Sequence, residues 1–131
     1  MSEGTESISR IFADGMPKPK NPYVHATVFQ GVAFCSGQIG VDPASGNMAE
    51  GITAQTRQAL KNIEVVLASV GSDLTRVLRV MVYLREQSSF DEMNAVYAEV
   101  FGEHLPARTT LPGIGFKTGV DVEIDVTAAV N

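Results

Sequence analysis

Cysteine occurs once among the 131 residues, and that scarcity removes a class of answer. Cys35 has no partner for an intrachain disulfide, so the cross-linked framework of small secreted domains is excluded. Its neighbours Val32, Ala33 and Phe34 are apolar, which suits a small buried hydrophobe in a reducing compartment and disfavours a reactive thiolate. Charge is sparse as well. Charged side chains make up 19%, and ten basic against fifteen acidic residues leave a net charge of −5 with no basic cluster. The electrostatic footprint of a nucleic-acid or anionic-membrane binder is therefore missing. No apolar run approaches the roughly 18 residues of a membrane span, and residues 1–6 carry neither the basic start and apolar core of a secretory signal nor an Arg-rich transit pattern. A cytoplasmic protein is expected.

Hydrophobic residues account for 44% of the chain, enough for one packed domain over 1–131, with residues 1–6 expected to be poorly ordered. Prolines 17, 19 and 22 make the approach to the first solid strand extended, and 9–12 reads as a short edge strand. Alternating residues over 23–36, interrupted by Gln30-Gly31, predict a β-hairpin. From 52 to 70 Ile52, Ala59, Leu60, Ile63, Val66 and Leu67 recur at helical steps, with Gln55, Arg57, Gln58, Lys61 and Glu64 on the polar side. A strand follows over 74–84, with Leu78, Val80, Val82 and Leu84 on one face and Arg79, Met81 and Tyr83 on the other. Ser89-Phe90-Asp91-Glu92 reads as a capping box that starts a second helix ending near Gly102. A short extended piece after Pro106 and a strand over 120–130 close an α+β layer, a sheet with two helices on one face. The opposite face presents Met81, Tyr83 and Phe34, which predicts self-association.

Among residues that carry chemistry, Arg108 after Pro106-Ala107 and Glu123 in the alternating run 120–126 form the most informative pair. A guanidinium matches a carboxylate bidentately, so Arg108 is a natural anchor for a small organic acid, and Glu123 is the candidate for moving protons or water. The competing readings are a surface or structural ion-pair arginine and a solvated acidic face shared by Asp121, Glu123 and Asp125. Those carboxylates have no metal-ligand spacing to His25 or His104. The glycine-rich stretch 113–119 meets neither the dinucleotide nor the Walker spacing and precedes a strand, so it is expected to be a flexible loop. Ser36 lacks the glycine pattern of a nucleophile elbow.

Taken together, Asn21-Pro22-Tyr23, Cys35-Ser36-Gly37-Gln38-Ile39, the run 54–63, Asn94-Ala95-Val96-Tyr97, Pro106-Ala107-Arg108 and Val122-Glu123-Ile124 resemble the RidA/YjgF family of enamine/imine deaminases. The resemblance implies a chorismate-mutase-like fold, a homotrimer whose sheets form a central barrel, and ligand clefts at subunit interfaces. It implies hydrolysis of a 2-imino or 2-enamino acid to a 2-keto acid and ammonia without metal or organic cofactor. By motif position Arg108 would clamp the substrate carboxylate and Glu123 would orient or activate water, while Tyr23, Ser36, Gly37 and Asn94 would line the cleft. Thr110 stands where many members have a cysteine, so a thiol-specific role is absent. Pro112 and Gly113 interrupt what is an apolar strand in many members. The alternatives are a trimer that binds or senses a keto acid without turnover, an RNA-acting or translation-inhibiting protein, against which the acidic balance argues, and a chaperone-like surface.

Overall fold

The computed structural model describes residues 7–130. The expectation for residues 1–6 lies outside them. Six strands and two helices follow the chain as β1 (Ser9–Ile11), β2 (Ala26–Phe29), β3 (Val32–Ile39), α1 (Ile52–Ser69), β4 (Val77–Leu84), α2 (Phe90–Phe101), β5 (Ala107–Leu111) and β6 (Val122–Ala129). The sheet order is β1-β2-β3-β6-β4-β5, with β4–β5 parallel and the other neighbours antiparallel. A parallel neighbour needs a crossover, and α2 supplies it between β4 and β5. Since β3 and β4 both run antiparallel to β6, α1 is the crossover between them.

Gln30 and Gly31 both have positive φ, 49° and 80°, the type I′ geometry whose twist matches that of a two-residue hairpin. Helix α1 closes with a Schellman pair of bonds, Ser72 N–H to the Leu67 carbonyl at 2.9 Å and Gly71 N–H to the Ala68 carbonyl at 3.2 Å. Leu60, Ile63 and Leu67 of α1 and Met93 of α2 pack against Val80, Val82, Ile124 and Val126 of the sheet. Ordinary burial of such side chains contributes about 1.5–3 kcal/mol each.

The sheet corrects the expectation of a central barrel and of a trimer built around one. It is open: β1 and β5 lie at opposite ends with four strands between them, and β1 has only three residues to offer a neighbour. Closure would require those two edges to meet with matched tilt and stagger.

Three local readings also change. The segment 74–84 begins with a 3-10 turn, Leu74–Arg76, and only then becomes β4. The register against β6 slips between Val77 and Arg79, so Leu78 is the extra residue of a bulge and turns outward at 51% exposure instead of joining Val80 and Val82. Ser89 forms no side-chain cap, because a 3-10 turn over Gln87–Ser89 runs directly into α2 and already gives Ser89 helical angles. Gln55, placed by periodicity on the polar side of α1, is buried. Its side chain accepts from Asp121 N–H at 2.8 Å and donates to the Gly119 carbonyl at 2.9 Å, joining α1 to the entry of β6.

Candidate active site

Alternation along β6 decides which side chains meet. Val122, Ile124 and Val126 point into the helix-covered core, so Glu123 and Asp125 project from the opposite face. Glu123 pairs across the sheet with Ile39 of β3 and Tyr83 of β4. The β3–β6 register slips between Cys35 and Gln38, and this irregularity brings Gly37 directly under the Glu123 carboxylate. A Cβ built on Gly37 would lie 2.1 Å from Glu123 Oε2 and 2.9 Å from its Cδ. Only a residue without a side chain admits the carboxylate there.

Tyr23, Ser36, Gly37 and Glu123 surround one cleft of about 270 Å³. Ser36 donates its hydroxyl to the Val24 carbonyl at 2.7 Å, which ties β3 to the segment carrying Tyr23 and occupies the proton a nucleophilic serine would have to surrender. Tyr23 itself is half exposed. A larger hollow of about 560 Å³ shares Tyr23 and Ser36 but includes no carboxylate.

Burial pushes the Glu123 carboxyl above the usual carboxylate range, and the charge of Asp125 adds to the effect. Asp125 is also raised by burial, opposed by a 2.9 Å hydrogen bond from the Tyr83 hydroxyl and by Arg79. Tyr83 and Asp125 carried no site role in the sequence. The available signals were Asp125 two residues along the same strand face and the tyrosine on the neighbouring strand. Cys35 is buried, and desolvation, followed by the charge of Asp125, pushes its thiol up to about 12. Both its burial and that shift disfavour the thiolate.

Arg108 lies elsewhere. Its β5 position pairs with Val80, whose side chain faces the helices, and its guanidinium stands 4.6 Å from the Tyr97 ring and 5.5 Å from the Phe90 ring of α2. Asn94 occupies the same helical stripe, four residues after Phe90 and three before Tyr97. Thr110 follows Arg108 by two and shares its face. Arg108 has no carboxylate partner among the described residues, and its one polar contact there is the Met93 sulfur at 4.0 Å. The hydroxyls of Tyr97 and Thr110 are buried without a hydrogen-bond partner. Within one chain the seven predicted residues thus form two groups on opposite faces of the sheet, Tyr23, Ser36, Gly37 and Glu123 in one and Asn94, Arg108 and Thr110 in the other.

The family model described as Endoribonuclease L-PSP matches residues 14–130. The chain belongs to the RidA/YjgF family. A RutC family protein of Pyrococcus horikoshii is 41% identical over 119 residues, spanning 90% of this chain and 94% of that protein. The human 2-iminobutanoate/2-iminopropanoate deaminase is 33% identical over 113 residues, spanning 86% and 82%. The crystal structure of the YjgF gene product of E. coli superposes with a TM-score of 0.88 at 27% identity, over 94% of this chain and 99% of that one. Among the described residues no cluster of three His, Cys, Asp or Glu side chains could hold a metal ion, and no helix is long and apolar enough to cross a membrane.

Proposed function

We propose that this RidA-family protein hydrolyses reactive 2-imino and 2-enamino acids to 2-keto acids and ammonia, with Glu123 handling the attacking water and Arg108 holding the substrate carboxylate. The observation that carries the reading is the Glu123 carboxylate seated on Gly37 in a cleft with Tyr23 and Ser36. Kinship with a human deaminase of these substrates supports it.

The chemistry asks little of the site. An enamino acid tautomerises to the imine, water adds to the imine carbon, and the tetrahedral carbinolamine expels ammonia once its nitrogen is protonated. A carboxyl with a raised pKa suits both steps: ionised it accepts a proton from water, and protonated it returns one to the leaving nitrogen. Such imines hydrolyse unaided, so positioning supplies much of the remaining advantage.

Because Arg108 and Glu123 occupy opposite faces of one sheet, the working cleft is shared between two copies of the chain. Arg108, Asn94 and Thr110 come from one copy and Tyr23, Ser36, Gly37 and Glu123 from its neighbour. The unpaired guanidinium and the partnerless hydroxyls of Tyr97 and Thr110 are the groups such a neighbour or ligand would satisfy.

Mixing variants tests this arrangement. Arg108→Ala should lower kcat/KM for 2-iminopropanoate by roughly ten- to a hundredfold, the loss of a hydrogen-bonded charge of about 1.5–3 kcal/mol. Glu123→Gln should abolish turnover while pyruvate still binds. Arg108→Ala alone should keep only a residual rate and Glu123→Gln alone none, yet refolding the two together should raise the rate above that of either, because some clefts then receive an intact Arg108 and an intact Glu123. Absence of recovery in verified mixed oligomers would refute the shared cleft. Full activity of Glu123→Gln would refute the role of the carboxylate.

A further inference from the structure

The Glu123 cleft continues into a second compartment of about 320 Å³, within the range of roughly 300–1,000 Å³ typical of ligand pockets. Its walls are apolar side chains from separate segments: Tyr23 before β2, Ile39 at the end of β3, and Phe116 and Val120 from the β5–β6 connection, with Gly37 and Glu123 at the base.

That connection is held in place. Arg85, just past β4, donates from Nε to the Val120 carbonyl at 2.8 Å and from Nη2 to the carbonyls of Phe116 at 3.2 Å and Lys117 at 2.5 Å. Its own backbone N–H reaches the Asp121 carbonyl at 3.0 Å, and Ile114 N–H reaches the Leu84 carbonyl at 3.0 Å. The Arg85 guanidinium also lies 5.8 Å from the Phe116 ring, and Gln55 braces Gly119 and Asp121 from the other side. The segment expected to be a flexible loop is thereby pinned by one arginine and one glutamine, with Phe116 half-buried at the cleft.

We propose that this compartment receives the substrate side chain, so that the enzyme prefers imino acids with branched aliphatic or aromatic side chains over 2-iminopropanoate. Phe116 is the specificity-determining residue and Arg85 the positioning residue that holds its wall. The inference rests on the deaminase reading of the cleft and adds the substrate class. An apolar pocket discriminates by roughly tenfold or more for each added methylene-sized group. Lys117, an exposed residue that also lines this compartment, offers the opposing possibility of an acidic side chain, which the test includes.

The experiment has two arms. In the first, calorimetry measures binding of pyruvate, 4-methyl-2-oxopentanoate, phenylpyruvate and oxaloacetate to the assembled protein. The two bulky apolar acids should bind at least tenfold more tightly than pyruvate. Equal binding, or preference for pyruvate or oxaloacetate, overturns the inference whether or not the protein turns imines over. In the second arm, an amino-acid oxidase generates the corresponding imines and kcat/KM is read for each. Hydrolysis of none of them defeats the deaminase reading while the binding arm still decides the compartment. Phe116→Ala should reduce the ratio of leucine-derived to alanine-derived kcat/KM by about tenfold, and Phe116→Leu should reduce it less. Arg85→Ala should narrow the same ratio through KM for the bulky imine, with Arg85→Lys restoring part of it. A ratio unchanged in all of these variants refutes the assignment of Phe116 and Arg85.

Discussion

Substituting Gly37 by alanine isolates the placement of the Glu123 carboxylate from its chemistry. The added Cβ would meet Oε2 at 2.1 Å, and ordinary contact begins near 3.4 Å, so the carboxylate must withdraw by about 1.3 Å. Gly37 does not have a positive φ, so alanine imposes no backbone strain, and the atoms it displaces belong to the end of a flexible side chain. The fold should tolerate the change. Loss of unfolded-chain freedom can even stabilise such a variant by about 0.4–1 kcal/mol. Catalysis should not tolerate it, since misplacement by about 1 Å can cost about a hundredfold. The assay follows decay of 2-iminopropanoate generated by an amino-acid oxidase, beside a thermal melt and a measurement of oligomer size. A hundredfold lower kcat in a chain of unchanged Tm and assembly is the expected result. An alanine variant within twofold of the parent rate would show that the observed seat of Glu123 does not matter, and the assignment of the cleft would fail.

The pH dependence follows from the same carboxyl. In the proposed mechanism Glu123 accepts the proton of water only when ionised, and burial and the charge of Asp125 both raise its pKa, so kcat/KM should decline with falling pH already above the ordinary glutamate range. Asp125→Asn removes the second cause and should carry the acid limb to lower pH; an unmoved limb in stopped assays across roughly pH 4–8, where carboxylates and histidines titrate, would contradict the electrostatic coupling. Gln55→Ala leaves the Asp121 N–H and the Gly119 carbonyl without their partner and should cost about 1–3 kcal/mol in urea denaturation, whereas a loss below about 0.5 kcal/mol would show that water replaces the amide. Cys35, with its thiol pushed up to about 12 and shielded by the core, should resist alkylation in the native protein at neutral pH and react after denaturation; rapid native labelling would contradict its burial.

Repetitive patterns were legible along the chain. The helical recurrence of Leu60, Ile63 and Leu67, the Gln30-Gly31 hairpin and the alternation of β6 each express a local period, and the corresponding elements stand where the pattern puts them. Features that depend on a neighbour were not legible. Leu78 turns outward because β4 slips against β6, Gln55 goes inward because the amide and carbonyl it satisfies lie more than sixty residues away, and Ser89 loses its capping role to a 3-10 turn. Arg108 and Glu123 could be singled out as a charged pair, but their separation across the sheet depends on two strand registers that no linear spacing records. Residue order by itself therefore determined the elements, the acidic character and the family motifs, since these rest on periodicity and residue type. Only the tertiary structure decided that the sheet stays open, that Gly37 seats the carboxylate and that Arg85 pins the wall beside it, because each arises from a contact between segments distant in the chain.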